Sequence, residues 1–199
     1  MKKTMLIPGL SLAMLVACNS SETKNTPMDS MSNTDTATTI RTDSSSAMIH
    51  DSTMKKDDNA EFLTDAAGGG MMEVQLGQLA KTNAASKAVK DFGAMMVRDH
   101  SNANAQLKTL ASKKNVALPA ALPDKLQKHV DDLSKKTGAD FDKEYISLMV
   151  DDHQDDIKMF EKCAKSDKED ADIKTFAAKT LPTLYKHLDA AKALKDKQG

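Results

Sequence analysis

From residue 59 onward apolar residues return every third or fourth position, in four separate runs. In the first, about 59–82, Phe62, Ala66, Gly69, Glu73, Leu76 and Ala80 fall on one face of a helix. The second, about 84–114, places Val89, Phe92, Met96, His100, Ala103, Leu107 and Leu110 on one stripe, with Lys87, Lys90, Asp91 and Gln106 elsewhere. The third, about 139–165, aligns Ile146, Met149, His153, Ile157, Phe160 and Ala164. The fourth, about 169–196, aligns Ile173, Ala177, Thr180, Leu184, His187, Ala191 and Leu194.

Four long amphipathic helices predict an all-α four-helix bundle. Residues 115–137 break the pattern: Leu118-Pro119 and Leu122-Pro123 open an extended stretch, and Pro123-Asp124 suits the start of a short helix to about Lys136, with Gly138 at its end. Short turns near 83 and 167 make two antiparallel pairs. A 30-residue helix is ~45 Å long, and thirteen helical residues cover ~20 Å. Eight extended residues reach ~26 Å more. The connection is therefore just long enough to run the length of the bundle, which makes the second and third helices parallel. Folded back on itself, it would make them antiparallel. Gly68-Gly69-Gly70 predicts a close approach, a break or a kink, and Pro182 predicts a kink in the last helix.

The polar exceptions on these stripes carry the candidate chemistry. Met96-Val97-Arg98-Asp99-His100 is echoed by Met149-Val150-Asp151-Asp152-His153, each with an aromatic residue, Phe92 or Tyr145, four positions before its Met. Each main helix contributes one polar residue to its inner stripe: Glu73, His100, His153 and His187. With parallel helices His100 and His153 are level. Counting across the turns brings Gly68 and Pro182 to that height and leaves Glu73 and His187 one to two turns away. The expected site is therefore His100 and His153 with one neighbour. Three His and a carboxylate suit a divalent metal such as zinc or iron, or copper. Met149, one turn before His153, keeps a soft ion such as Cu(I) open. Buried imidazoles need partners, and hydrogen bonds, for instance from Glu73 to a His, would serve as well as an ion. Asp99 and Asp152 adjoin two of the histidines, at the core edge or on the surface. Tyr145 is placed to bond Asp142 on the neighbouring turn. A structural polar network is the first reading and a metal centre the second.

Composition narrows the partners. Lys+Arg number 28 and Asp+Glu 29 in 199 residues, with no concentrated basic patch, so no field recruits nucleic acid. At the N-terminus Lys2 and Lys3 precede an apolar run from Met5 to Ala17, too short to span a bilayer comfortably. The run ends Leu15-Val16-Ala17-Cys18, which resembles the lipobox of bacterial lipoproteins. This predicts a signal peptide over 1–17 and lipidation of Cys18. Asn19 after that Cys makes the outer membrane the default destination. Residues 18–57, rich in Ser, Thr, Asp and Asn, then read as the lipidated Cys and a disordered tether, and 58–197 as the helical domain. Cys163 remains as a lone core thiol. No Gly-x-Ser-x-Gly elbow, His-Glu-x-x-His helix or phosphate loop is present, so no enzyme is expected.

Taken together, Phe62-Leu63, Glu73, Leu76-Gly77, Leu79-Ala80, Met96-Val97, Asp99-His100, Phe141-Asp142, Tyr145, His153, Phe176-Ala177, Leu181-Pro182 and His187 resemble the bacterial domain-of-unknown-function 4142 family. The resemblance covers about 59–196. It implies a ferritin-like four-helix bundle with a short extra helix between helices 2 and 3, in an outer-membrane or periplasmic protein, and it supplies no activity. No Glu-x-x-His occurs, so di-iron chemistry of the ferritin kind is not expected. The resulting expectation is an envelope lipoprotein, held to the membrane through Cys18, whose non-catalytic domain has a structural, stress or interaction role. A metal-binding or metal-storage protein is the alternative, and a redox enzyme comes third.

Overall fold

The computed structural model describes residues 46–198, with side chains from residue 58. The signal segment and Cys18 lie outside the described residues, as does the tether up to residue 45. The described chain is all-helical: α1 Ser46–Asn83, α2 Lys87–Lys113, α3 Asp124–Ser134, α4 Gly138–Lys165 and α5 Ala171–Asp196. Helix α1 begins ahead of residue 59, where its apolar stripe becomes legible. Gly138, expected to close α3, instead opens α4 with φ 67, a left-handed value that glycine adopts without strain.

Helices α1 and α2 pair, α4 and α5 pair, and α1 packs on α4 as α2 packs on α5. Three end contacts set the directions. Asp142, in the first turns of α4, accepts hydrogen bonds from the backbone N–H groups of Ala85 (3.0 Å) and Ser86 (2.8 Å), between α1 and α2. Asn83 Nδ2 donates to the Lys136 carbonyl just before α4 (2.9 Å). At the opposite end Lys114, after α2, pairs with Asp170 (2.7 Å) and Asp172 (2.8 Å) at the start of α5. Helices α2 and α4 thus start at the same end and run parallel. The connection carrying α3 runs the length of the bundle, along α1.

The crossover explains part of the triple glycine. A Cβ on Gly68 would stand 3.2 Å from Leu126 of α3, and one on Gly70 would meet the carboxamide of Asn104 from α2. Helix α1 stays continuous across all three glycines, so close approach, not a break, is their use. Helix α5 likewise continues through Pro182. The closest backbone contact lies farther along, where a Cβ on Gly77 would be 2.7 Å from the Gly93 carbonyl and one on Gly93 would be 2.6 Å from Ala80 Cβ.

The core is aliphatic and Met-rich, with Leu63, Met72, Leu76, Met96, Ile146, Met149, Ile173 and Leu184 almost fully buried. Full burial stabilises each such side chain by roughly 1.5–3 kcal/mol. The two repeats sit on diagonally opposed helices and meet in the centre. Phe92 and Tyr145 are edge-to-face at 5.9 Å, and the His100 and His153 rings are 5.6 Å apart.

Gly77→Ala should lower stability by ~1–3 kcal/mol through overpacking at the α1–α2 crossing. Gly69→Ala, whose Cβ would find its nearest neighbour at 3.8 Å, should gain up to ~1 kcal/mol of helix propensity. Urea denaturation of both variants checks the contrast, and equal effects would contradict the close approach.

Candidate metal centre

Four buried polar side chains, one from each long helix, converge in the middle of the core: Glu73, His100, His153 and His187. His100 Nε2 faces His187 Nδ1 at 3.2 Å, and His153 Nε2 faces the same atom at 3.3 Å. Glu73 Oε2 lies 2.6 Å from His100 Nδ1, and its Oε1 is 3.4 Å from His153 Nε2. The ligand atoms of the three histidines fall within 4.8 Å of one another.

All four residues are on one level, which corrects the expected offset of Glu73 and His187. The reason is the tilt of side chains toward the N-terminus of their own helix. Helices α1 and α5 run opposite to α2 and α4. Glu73 and His187 therefore lean back toward the level of the paired histidines, while His100 and His153 lean forward to meet them. An axial separation of about five residues, ~7.5 Å of rise, is closed from both sides.

Two of the three outer nitrogens are also engaged, His100 Nδ1 by Glu73 and His187 Nε2 by Asp99. His187 Nε2 is 3.0 Å from Asp99 Oδ2, and Asp99 is itself held by Arg98, whose Nε donates to Oδ1 at 2.7 Å. Asp99 thus sits at the core edge, oriented inward. The Arg98 hydrogen bond holds its carboxyl down at about 2, so it is an acceptor and His187 Nε2 carries the proton. His153 Nδ1 has no partner of good geometry and points back along α4, toward the Met149 carbonyl. Asp152 is half-buried with its Oδ2 enclosed and without a partner. Tyr145 and Asp142 stay outside the cluster. The expected bond between them does not form, because the Asp142 carboxylate is taken by the Ala85 and Ser86 N–H groups. The Tyr145 hydroxyl is left buried and unpartnered, with its ring stacked on Phe141.

Burial sets the protonation. It lowers His100 to about 4 and pushes His153 well down, helped by the other two histidines. His187 is lowered by the same loss of hydration, against the opposing pull of Asp99. Burial raises Glu73 well above the ordinary carboxylate range. Asp152 and Asp156 are raised by burial and then by the charge of Glu73. Neutral imidazoles offer lone pairs, and burial favours the neutral form of each of these carboxyls. Asp156 had gone unnoticed in the sequence. The available signal was its place one turn after Asp152, on the face that holds the histidine.

Fold and site define a helical bundle protein with a histidine–carboxylate layer sealed in its core. The chain matches the family described as Domain of unknown function (DUF4142) over residues 44–194, and it belongs to that family. A DUF305 fragment from Deinococcus radiodurans, solved by crystallography, has a similar fold, with a TM-score of 0.62 at 9% identity, covering 70% of this chain and 96% of that one. No curated protein matches the sequence.

The raised Glu73 carboxyl contributes stability that is present below the ordinary carboxylate pKa of ~4.3 and is lost as pH rises through its folded value. In metal-free protein held in chelator, Glu73→Gln should therefore melt higher than wild type at pH 8. The advantage should shrink or reverse by pH 5, where protonated Glu73 can donate to His100. Thermal melts at the two pH values check the sign.

Proposed function

We propose that this domain is a metal-binding protein of the bacterial envelope, holding a divalent transition-metal ion between His100 Nε2, His153 Nε2 and His187 Nδ1. Glu73 Oε1 faces the remaining side. The observation that carries this reading is the spacing of the inner nitrogens. Ligand atoms ~2.0–2.1 Å from a tetrahedral ion stand ~3.3–3.4 Å apart, and the His–His separations are 3.2 and 3.3 Å. The outer nitrogens supply a second support. Ligating histidines usually donate the other N–H to a carboxylate or carbonyl. Here Glu73 is the acceptor for His100 and Asp99 for His187.

A structural polar network is the competing reading, and one observation favours it. With Glu73 protonated, a chain closes from Glu73 O–H to His100 Nδ1, from His100 Nε2–H to His187 Nδ1, and from His187 Nε2–H to Asp99. That chain leaves Glu73 Oε1 and Asp152 Oδ2 buried without good partners, each costing ~1–3 kcal/mol. A cation relieves the carboxylates and uses the imidazole lone pairs, so metal binding accounts for more of the layer.

Binding or storage fits better than turnover of an organic substrate. The cavity beside the layer is about 20 Å³, room for about one water. Asp99 also lines a surface cleft between α2 and α5, with Arg98, Asn102, Lys179 and Lys186. The lipobox-like Leu15-Val16-Ala17-Cys18 supports an envelope address, with the membrane as partner through a lipid anchor. Among the described residues no helix is long and apolar enough to cross a membrane.

Protein purified without a histidine tag and stripped with chelator should take up one Zn²⁺ per chain and gain ~2.7 kcal/mol of stability at a free concentration a hundred times Kd. Asp99→Asn should weaken binding ~10–100-fold, and His187→Gln should abolish it. Elemental analysis and calorimetry provide the readout. Sub-stoichiometric zinc with an unchanged melt would leave the structural network as the function of the layer.

A further inference from the structure

The chain turns sharply after α2. Asn115 takes a left-handed φ of 55, and the Val116 N–H donates back to the Ala111 carbonyl at 2.9 Å. A groove of about 580 Å³ lies where the connection that follows meets α1 and α2. Its walls are apolar on three sides: Ala67 and Met71 from α1, Leu107 and Ala111 from α2, Val116 and Leu118 from the connection. Pro119 adds an apolar ring and no backbone N–H. The polar lining residues, Asn104, Lys108 and Ser112, follow one another at steps of four along α2 and so share one edge. No Asp, Glu or His lines the groove, so the histidine layer takes no part in it. Lys108 is exposed and makes no hydrogen bond or ion pair among the described residues.

We propose that this groove binds a free medium-chain fatty acid, with the acyl chain against the apolar walls and the carboxylate on Lys108. The inference is independent of the metal reading. Small-molecule sites are concave, mostly apolar, ~300–1,000 Å³ in volume, and carry a few polar groups that fix orientation. The groove has that size and that division of surface. Its charge selects the head group: one unpaired ammonium with no acid beside it complements an anion and repels a cationic amphiphile. Its walls select the tail, because each methylene taken out of water strengthens binding by up to ~4-fold. A sugar or nucleotide would leave most of its polar groups against Met, Leu and Val side chains, which costs binding. The polar edge sets the length. From Asn104 to Ser112 is eight residues of helix, ~12 Å, so a medium chain lies along α2 within the groove and a long one protrudes.

The test is calorimetric titration of the full chain with decanoate below its micellar concentration. One decanoate per chain is expected, with octanoate weaker by roughly tenfold for its two missing methylenes. Lys108→Glu should weaken decanoate ~10-fold, since an attractive surface pair becomes a repulsive one, and leave decanol binding unchanged. Leu118→Asp should weaken decanoate and decanol alike. If Leu118→Asp loses helicity by circular dichroism, Lys108→Glu at its exposed position still decides the matter. No decanoate bound, several molecules per chain, or binding indifferent to Lys108→Glu overturns the site. Association with anionic phospholipid vesicles without uptake of free decanoate overturns it too, and makes the groove a membrane contact.

Discussion

An imidazole buried in a helical bundle must have something at both of its nitrogens, and three such rings share one cross-section of this core. That requirement organises the structure around it. His187 is the hinge of the layer: its Nδ1 faces both other histidines and its Nε2 is fixed on Asp99. Asp99 in turn is locked by Arg98, so a surface cation determines which nitrogen of a fully buried ring carries the proton. Glu73 performs the same service for His100 from the other side. Orientation therefore reaches the centre through carboxylates, Asp99 at the core edge and Glu73 within the core, and the lone pairs left over point inward at one another. Lone pairs facing at 3.2–3.3 Å need a shared proton or a cation between them.

The scaffold is shaped to bring these groups to one level. Asp142 ties the beginning of α4 to the α1–α2 turn, and Lys114 ties the end of α2 to the beginning of α5. With both ends pinned, α2 and α4 run parallel and their repeated motifs are in register across the bundle. The antiparallel neighbours then contribute side chains that lean the opposite way, which draws Glu73 and His187 onto the same plane. Glycines at 68, 69 and 70 let α3, Asp156 and Asn104 come close to α1. At 77 and 93 they let the backbones of α1 and α2 approach one another directly. Larger residues there would spread the helices and with them the spacing of the histidine layer.

Much of this was legible along the chain. Apolar periodicity located the four long helices, and Pro123-Asp124 located the short one. The same stripes singled out Glu73, His100, His153 and His187 because a polar residue at a core position is informative in a way an apolar one is not. Two expectations about the site failed, each for its own reason. The vertical offset of Glu73 and His187 came from counting Cα positions, which ignores the direction of Cα–Cβ. The Tyr145–Asp142 bond came from proximity on one helix, which ignores competition from backbone N–H groups on another. Asp156 went unremarked because what draws it in is its packing beside Glu73 and Asp152, which no spacing within one helix shows.

The sequence by itself determined the helices, the faces they bury, the length of the crossover and the absence of Glu-x-x-His, since each follows from local periodicity, chain reach or residue identity. Only the tertiary structure decided that the four polar residues share one plane, that His187 joins the other two histidines, and that Asp99, rather than Tyr145 or Asp142, belongs to the layer. Those outcomes depend on side chains leaning toward each other from antiparallel helices, a relation between distant segments that no spacing within one segment encodes.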